Sequence, residues 1–148
     1  MLAGSSFGNL SMNTLPLLTI KLHLRISEHD VHYAGGLVDG ARLMALFGDA
    51  ATELCIRYDG DEGLFRAYQN VEFLAPVHAG DFLDVTAELS SVGRTSRQMK
   101  FEITRVIKAA PTQENVSAAA VLDKAELVAR AEGTCVVPLE KQQGKKPS

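Results

Sequence analysis

The sequence predicts an α+β domain in which antiparallel strands form a curved sheet around one long helix. Residues 37–54 carry the single long helical pattern, with apolar side chains recurring every three or four positions. The segments before and after it alternate apolar and polar residues, as half-buried strands do. Glycine, proline and aspartate mark tight turns between these segments. One helix among antiparallel strands can bury its apolar face only if the sheet curls around it.

Five strands are predicted on this basis, one before the helix and four after it. In the first strand after the helix, Val71 and Phe73 are expected to point inward, and Pro76 ends the strand because it lacks an N–H donor. An alanine-rich stretch, residues 109–123, is expected to be irregular or to form a short helical turn. The predicted strands are residues 18–27, 64–75, 82–91, 95–107 and 127–137.

The helix is expected to begin near Leu37 and to expose Arg42, Asp49 and Glu53 on its polar side. Gly40 and Gly48 lie inside it, and each costs about 1 kcal/mol relative to alanine. Such glycines indicate close approach of a ligand, a strand or a partner, or simply tight helix–sheet packing. On a helical wheel the apolar side carries Leu37, Ala41, Met44, Phe47, Ala51 and Cys55.

The composition excludes several classes of function. The chain has 148 residues, which fits one domain, and a net charge of -3, which offers no basic surface for nucleic acid. No apolar run approaches the roughly 20 residues that a membrane-spanning helix needs. Cys55 and Cys135 are eighty positions apart and are expected to be buried thiols in a reducing, cytoplasmic setting rather than a disulfide or metal pair.

Three segments are predicted along the chain. Residues 1–16 are rich in glycine, serine and asparagine and have no basic residue, which argues against a secretory signal or a transit peptide. They are interpreted as a disordered, dispensable extension, as a remnant of expression or as the product of an early start codon. Residues 17–139 form the domain, and residues 140–148 are expected to be a charged, mobile tail.

The order of strand, glycine-bearing loop, central helix and antiparallel meander resembles the hotdog fold, in which a curved sheet wraps one helix. Two shorter segments carry this resemblance further. Residues 71–81, with the sequence VEFLAPVHAGD, are similar to a strand and turn of many hotdog acyl-CoA thioesterases. The turn of residues 93–96, with the sequence GRTS, also matches those proteins.

Longer motifs resemble the 3-aminobutyryl-CoA ammonia lyases, the hotdog deaminases of anaerobic lysine fermentation. These motifs are HDVHY at 29–33, LVDGAR at 37–42 and LFGDAATEL at 46–54, with further matches at 59–68 and 133–138. The resemblance covers roughly residues 22–138. It departs from the thioesterases, whose helix carries its acid at the position of Gly48 here.

The resemblance implies elimination of ammonia from L-3-aminobutyryl-CoA to give crotonyl-CoA, without a redox or PLP cofactor. A base must remove the proton next to the thioester, and a helix N-terminus can stabilise the charge that moves onto the thioester oxygen. Gly35 and Gly36 suit close backbone approach there, and the alternative is a turn that merely starts the helix. The predicted substrate-binding residues are Asp30, His32, Gly35, Gly36 and Asp39.

Asp49 and Glu53 are the predicted catalytic residues. They are four positions apart on one helix face, and two close carboxylates favour one of them holding a proton. Such a pair can act as base and acid while the amine departs. The alternative is a solvated helix face on which the acids pair with Arg42 or Arg57.

The phosphates of coenzyme A require cations or polar donors. Arg94, Thr95, Arg97 and Lys100 follow the Gly93 turn and are the predicted contacts, with a charged strand edge as the alternative. No metal-ligand spacing is present among the four histidines and two cysteines. The resemblance also implies a homo-oligomer, a dimer assembling into a hexamer. The competing functions are a thioesterase on the same fold and a non-catalytic acyl-CoA binder.

Overall fold

The computed structural model describes residues 17–144, and these form a five-stranded antiparallel sheet that holds one long helix, as predicted. The predicted extension, residues 1–16, lies outside the described residues, as do residues 145–148. The elements are β1 (Leu18–Arg25), β2 (Val31–Tyr33), β3 (Leu37–Val38), α1 (Gly40–Asp59), β4 (Leu64–Phe73), β5 (Phe82–Val92), β6 (Ser96–Ala109) and β7 (Ala119–Val136).

The main sheet has the strand order β1-β5-β6-β7-β4, so β1 and β4 are its two edges. The helix packs against all five strands. The predicted alternation is confirmed in β5 and β6, where every second side chain is buried under the helix. The core centres on Phe47 of α1 and Phe101 of β6, whose ring centroids are 5.3 Å apart.

The helix begins at Gly40, three residues later than predicted. Asp39 caps it, with Oδ1 accepting a hydrogen bond from the backbone N–H of Arg42 at 3.1 Å. Leu37 and Val38 instead form β3, which pairs with β2 in a separate two-stranded sheet. Leu37 is therefore not part of the helical apolar face.

The buried face of the helix is wider than the predicted stripe, because the curved sheet covers it from two sides. Ala41 was placed on the apolar side and is exposed, and Met44 is only partly buried. Asp59 at the C-terminal end is also buried. The buried helix residues are Leu43, Leu46, Phe47, Ala50, Ala51, Leu54, Cys55 and Asp59.

The predicted irregular stretch at residues 109–123 is confirmed for residues 110–118, whereas its two ends are strand. β6 continues to Ala109, β7 begins at Ala119, and Ala109 pairs with Ala119 to close a long hairpin. Val116 and Val121 in this projecting hairpin are largely exposed. Strands exposed on both faces have no apolar alternation, which is the signal that sequence reasoning uses.

Phe73 was predicted to point inward, and its side chain is 51% exposed. The pairing of β4 with β7 shifts between Gln69 and Glu72, and Asn70 between them has a φ of 51°. Beyond this bulge Phe73 still faces the helix, since it pairs with the buried Ala129 and its ring lies close to Gly40. Its exposure follows from its place at the end of the edge strand β4.

The tail predicted to be mobile from residue 140 is held against the domain as far as Gln143. Gln142 Nε2 donates to the carbonyl oxygens of Arg94 and Val137 at 2.9 and 3.0 Å. The backbone N–H of Gln143 donates to the carbonyl of Asp59 at 2.9 Å. Within residues 17–144, no helix has the length and apolarity that crossing a membrane requires.

Candidate active site

The segment between β1 and the helix is a structured loop rather than a loose connection. Ser27 begins a short 3-10 turn, and its Oγ accepts a hydrogen bond from the backbone N–H of His29 at 3.2 Å. Asp30 Oδ2 accepts from the backbone N–H of Ser27 at 2.9 Å, which completes a capping box. A second 3-10 turn, Ala34–Gly36, follows β2.

Asp30 ties this loop to the first turn of the helix. Its Oδ1 accepts a hydrogen bond from Arg42 Nε at 2.6 Å, and the pair is only partly exposed. Burial alone would raise the pKa of Asp30, but hydrogen bonds from Ser27 and Arg42 and the charge of Arg42 outweigh it and lower that pKa. Asp30 is therefore a carboxylate at neutral pH that holds the loop in place. Its predicted contact with substrate stays a prediction.

Gly35 and Gly36 both adopt left-handed backbone conformations, with φ of 77° and 76°. A Cβ at either position would meet nothing within 4 Å, so the space beside them is open. The carbonyl of Gly36 accepts from the N–H of Ala79 at 3.0 Å, and the N–H of Val38 donates to the carbonyl of Val77 at 2.9 Å. The glycines are thus accessible, and the turn after β4 fixes their position.

His32 lies in β2 with an exposed ring that meets Tyr33 edge to face at 5.5 Å. Asp39, by contrast, is engaged as the helix cap and is half-buried. The five predicted substrate-binding residues therefore lie in one segment that ends at the helix N-terminus. Of these, Asp30 and Asp39 have structural partners, whereas His32 and Gly35 face open space.

An apolar cleft of about 290 Å³ opens beside the helix N-terminus. A Cβ at Gly40 would lie 2.9 Å from Cζ of Phe73, so a larger residue there would displace that ring. Sequence reasoning missed Phe73 and Leu74 as cleft residues, although two apolar residues just before a strand-ending proline were the available signal. The lining residues are Leu37, Val38, Gly40, Leu43, Phe73, Leu74, Ala75, Pro76 and Val77.

The two predicted catalytic acids lie on the outer face of the helix. Asp49 is exposed, and Glu53 Oε2 accepts from Arg57 Nε at 2.7 Å. The alternative pairing with Arg57 is thus realised for Glu53, whereas Arg42 pairs with Asp30 instead. At 1.5 Å per residue, Asp49 and Glu53 lie about 14 and 20 Å along the axis from Gly40. One chain therefore does not bring these acids to the glycine loop, the segment of residues 26–39 that carries Gly35 and Gly36.

Tyr68 is a further polar group near Asp49 that sequence reasoning missed. Its Oη donates to the backbone carbonyl of Met44 at 3.2 Å and lies 3.9 Å from a Cβ built at Gly48. Burial raises the pKa of Tyr68 to about 12, with the charges of Cys135 and Asp49 adding to the effect. A protonated phenol therefore stands beside the exposed acid. Gly48 has no neighbour that demands glycine.

The four predicted coenzyme A contacts do not form one cluster. Arg97 is 2% exposed, and its guanidinium binds both oxygens of Asp59 at 2.7 and 2.9 Å. This ion pair leaves Arg97 with a structural role and corrects its prediction as a phosphate ligand. Lys100 is exposed on the outward sheet face and pairs across strands with Glu88 and Glu132. Arg94 is exposed, and Thr95 is partly buried.

Comparisons with known proteins identify the family of this chain. It is 57% identical over 122 residues to a 3-aminobutyryl-CoA ammonia lyase from Acetoanaerobium sticklandii, which covers 82% of this chain and 96% of that relative. The solved structure of β-alanyl-CoA:ammonia lyase from Clostridium propionicum superposes with a TM-score of 0.83 at 34% identity. That match covers 91% of this chain and 93% of the other.

More distant matches agree on the fold. An acyl-CoA hydrolase from Staphylococcus aureus, solved with coenzyme A, has a TM-score of 0.67 at 20% identity over 86% of this chain and 69% of its own. The family model described as the thioesterase superfamily matches residues 35–107. The fold is therefore the hotdog fold. At 57% identity over nearly the whole length of its relative, the chain belongs to the 3-aminobutyryl-CoA ammonia lyase family.

Proposed function

We propose that this protein eliminates ammonia from L-3-aminobutyryl-CoA to give crotonyl-CoA, and catalyses the reverse addition. The identity of 57% over 96% of a lyase of that name is the observation that carries the proposal. The geometry is compatible with it, because an apolar cleft for a short acyl chain adjoins a helix N-terminus with accessible glycines. The partner molecule is accordingly an acyl-CoA.

The first chemical demand is stabilisation of the thioester oxygen. Removal of the proton on the carbon next to the thioester places negative charge on this oxygen. Free backbone N–H groups and the positive end of the helix dipole favour that charge. Gly35 and Gly36 allow the thioester to approach the backbone without a side chain in the way.

The second demand is proton transfer as the amine leaves. The C–H and C–N bonds break, a C=C bond forms, and the base ends with the proton while ammonia departs. Asp49 and Glu53 are the carboxylates on the exposed helix face, which suits a cationic amine. In this proposal one of them accepts the proton and the other stabilises the ammonium group. No redox or PLP cofactor and no metal ion is required.

The proposed site is shared between two copies of the chain. The acids and the glycine loop are about 14 to 20 Å apart along one helix, and β4 leaves one sheet edge unpaired within the described chain. We infer that two copies pair edge to edge through β4 and that one copy supplies the loop while the other supplies the acids. A hotdog relative, a broad-specificity acyl-coenzyme A thioesterase, is hexameric, which supports further assembly into a trimer of dimers. The two buried free thiols suit a reducing cytoplasm.

The activity is tested by incubating the protein with crotonyl-CoA and ammonium. A lyase consumes the enoyl absorbance without releasing free thiol, whereas a thioesterase releases thiol. Running the assay also with acryloyl-CoA separates a 3-aminobutyryl from a 3-aminopropionyl preference. Binding of coenzyme A without either change would identify a non-catalytic binder and refute the proposal.

The shared site is tested by mixing Gly36→Val with the acid variant that loses turnover, Glu53→Gln or Asp49→Asn, under conditions that exchange subunits. A mixed dimer then contains one site with both native parts. Random exchange should restore about a quarter of wild-type activity. No recovery from subunits that do exchange, or a monomer by light scattering at micromolar concentration, would contradict the shared site.

A further inference from the structure

A buried arginine lies beside the glycine loop without being part of it. The Arg105 side chain is 3% exposed and forms hydrogen bonds in three directions. Nη1 donates to Asp81 Oδ2 at 2.9 Å and to the carbonyl of Pro76 at 2.6 Å, and Nε donates to Glu126 Oε1 at 3.1 Å. The guanidinium thus joins β6 to both ends of the turn at residues 76–81 and to β7.

Asp81 completes the connection from the other side. Its side chain is 1% exposed, and its two oxygens accept the backbone N–H groups of His78 at 2.9 Å and Ala109 at 2.8 Å. A buried carboxylate with these partners is costly to disturb, because its loss leaves Arg105 Nη1 and two backbone N–H groups without their charged acceptor. The conformation of the turn is therefore fixed by the ion pair.

The turn of residues 76–81 also holds the glycine loop in place. Its residues Val77 and Ala79 form the two backbone hydrogen bonds that hold Val38 and Gly36, and Leu37 forms a β-bridge to His78. The start of the loop is held by the same turn, since the N–H of Ile26 donates to the carbonyl of Asp81 at 2.8 Å. Both ends of the glycine loop therefore depend on one turn.

We propose that Asp81 and Arg105 are positioning residues that set the glycine loop and the helix N-terminus for the lyase reaction. This inference rests on the proposed function of the loop. Neither side chain is accessible to substrate, so the pair acts through the turn. A displacement of about 1 Å at a reacting centre can cost on the order of 10²-fold in rate, which makes such a support detectable.

The chain contains a matched control at the opposite end of the helix. Asp59 and Arg97 form a second buried ion pair with two hydrogen bonds and similarly low exposure. Arg97 Nη1 also donates to backbone carbonyls, those of Gly93 and Ser96. This pair contacts no residue of the glycine loop in the described structure. If both ion pairs had only a structural role, breaking either one would affect kcat to the same extent.

The experiment compares Asp81→Asn with Asp59→Asn by steady-state kinetics and amide hydrogen exchange on the assembled protein. Asp81→Asn should lower kcat for crotonyl-CoA amination by about 10-fold or more and accelerate exchange at Val38 and Ala79. Asp59→Asn should lower the melting temperature comparably and leave kcat and those two amides unchanged. Equal effects of both variants on kcat, or unchanged exchange at Val38 and Ala79 in folded Asp81→Asn, would overturn the proposal.

Glu126→Gln keeps the test open if Asp81→Asn does not fold. Glu126 holds the outer side of Arg105 and its side chain is 44% exposed, so this variant is expected to fold. It should accelerate exchange at Val38 and Ala79 but not at the C-terminal turn of the helix. Exchange equal to that of the wild type would overturn the proposal. If the wild type lacks lyase activity, the proposed function fails, while the exchange comparison still decides whether the pair positions the loop.

Discussion

Each end of the central helix carries an aspartate–arginine ion pair, and the two pairs differ in burial. At the C-terminal end, the Asp59–Arg97 pair is almost fully buried, and Gly60 closes the helix in a left-handed conformation under Gln143. At the N-terminal end, the Asp30–Arg42 pair is partly exposed and supports a loop with open glycines. The C-terminal end is therefore closed and stabilises the fold, whereas the N-terminal end is kept accessible.

The accessible end costs stability that the closed end offsets. Glycine at positive φ orders flexible backbone without adding packing contacts, and an open cleft leaves apolar surface in water. The buried C-terminal end supplies packed side chains and a charge pair with a complete set of hydrogen bonds. We therefore expect changes at the open end to affect activity more than stability, and changes at the closed end to do the reverse.

The largest expected effect comes from the two acids between these ends. Changing Glu53→Gln or Asp49→Asn keeps size and polarity but removes a site for the proton. At least one change should lower turnover by about 10²-fold or more, with coenzyme A affinity within a few-fold. Stopped-flow or steady-state assays of crotonyl-CoA amination, with calorimetric binding of coenzyme A, measure both quantities.

The matched control for these acids is Arg57→Gln, which removes the ion-pair partner of Glu53. A surface pair of this kind contributes about 0–1 kcal/mol, so the variant should remain active. If it loses as much activity as Glu53→Gln, the carboxylate acts through its arginine. Normal turnover by both acid variants would place the chemistry elsewhere, with Asp30 and His32 as the next candidates.

The second prediction compares glycines at the two ends. Gly36→Ala forces a side chain into φ of 76° without a clash, at about 1–2 kcal/mol of strain. Gly60→Ala adds a clash, since its Cβ would lie 2.1 Å from Cγ of Gln143. We expect Gly36→Ala to lower kcat and Gly60→Ala to leave kcat unchanged, with the larger fall in melting temperature in Gly60→Ala. A larger loss of kcat in Gly60→Ala than in Gly36→Ala would refute the assignment of activity to the open end and stability to the closed end.

The third prediction concerns the pH dependence of stability at the open end. The pKa of Asp30 in the folded protein is lowered from its usual value of 3.8. Its contribution is therefore fully present above this value and is lost as the pH falls through the lower folded pKa. Asp30→Asn should lower the free energy of unfolding by about 1–2 kcal/mol at pH 7.

Urea unfolding at several pH values checks this prediction. The gap between wild type and Asp30→Asn should be constant around neutrality and narrow in acid. A gap that persists in strong acid would mean that neutral packing, rather than the charged hydrogen bonds, supports the loop.

The smallest expected effect is that of Tyr68→Phe. The change removes one hydrogen bond to the carbonyl of Met44, worth about 0.5–1.5 kcal/mol. Because the pKa of Tyr68 is raised to about 12, its stabilising contribution is present below pH 10 and is lost as the pH rises through 12. The ultraviolet phenolate titration of the variant should lack the component near pH 12. A titration identical to that of the wild type would contradict this assignment.

The sequence predicted the fold well because the strands under the helix have one buried face. In β5 and β6 the apolar residues alternate with polar ones because only one face is buried, and this alternation identified the buried side chains. It failed in the β6–β7 hairpin, because a strand exposed on both sides has no alternation.

The candidate site was predicted less completely, because its support is formed by long-range pairs. The glycines and the loop acids are close in sequence, so a local pattern was enough to group them as candidates. Asp81 and Arg105 are joined across two strands, and no local pattern connects them. Arg97 was misassigned for the same reason, since a charged residue after a turn resembles a ligand contact until its buried partner Asp59 is known.

The two buried cysteines can report when the helix separates from the sheet. Cys55 on the helix and Cys135 on β7 are free and buried, and the hydrogen bond to Cys135 together with burial raises the pKa of Cys55. A thiol reagent can therefore react with Cys55 only in molecules whose helix has separated from the sheet. Mass-spectrometric labelling rates would then time this separation on unmodified protein, with and without bound acyl-CoA, and no engineered probe would be needed.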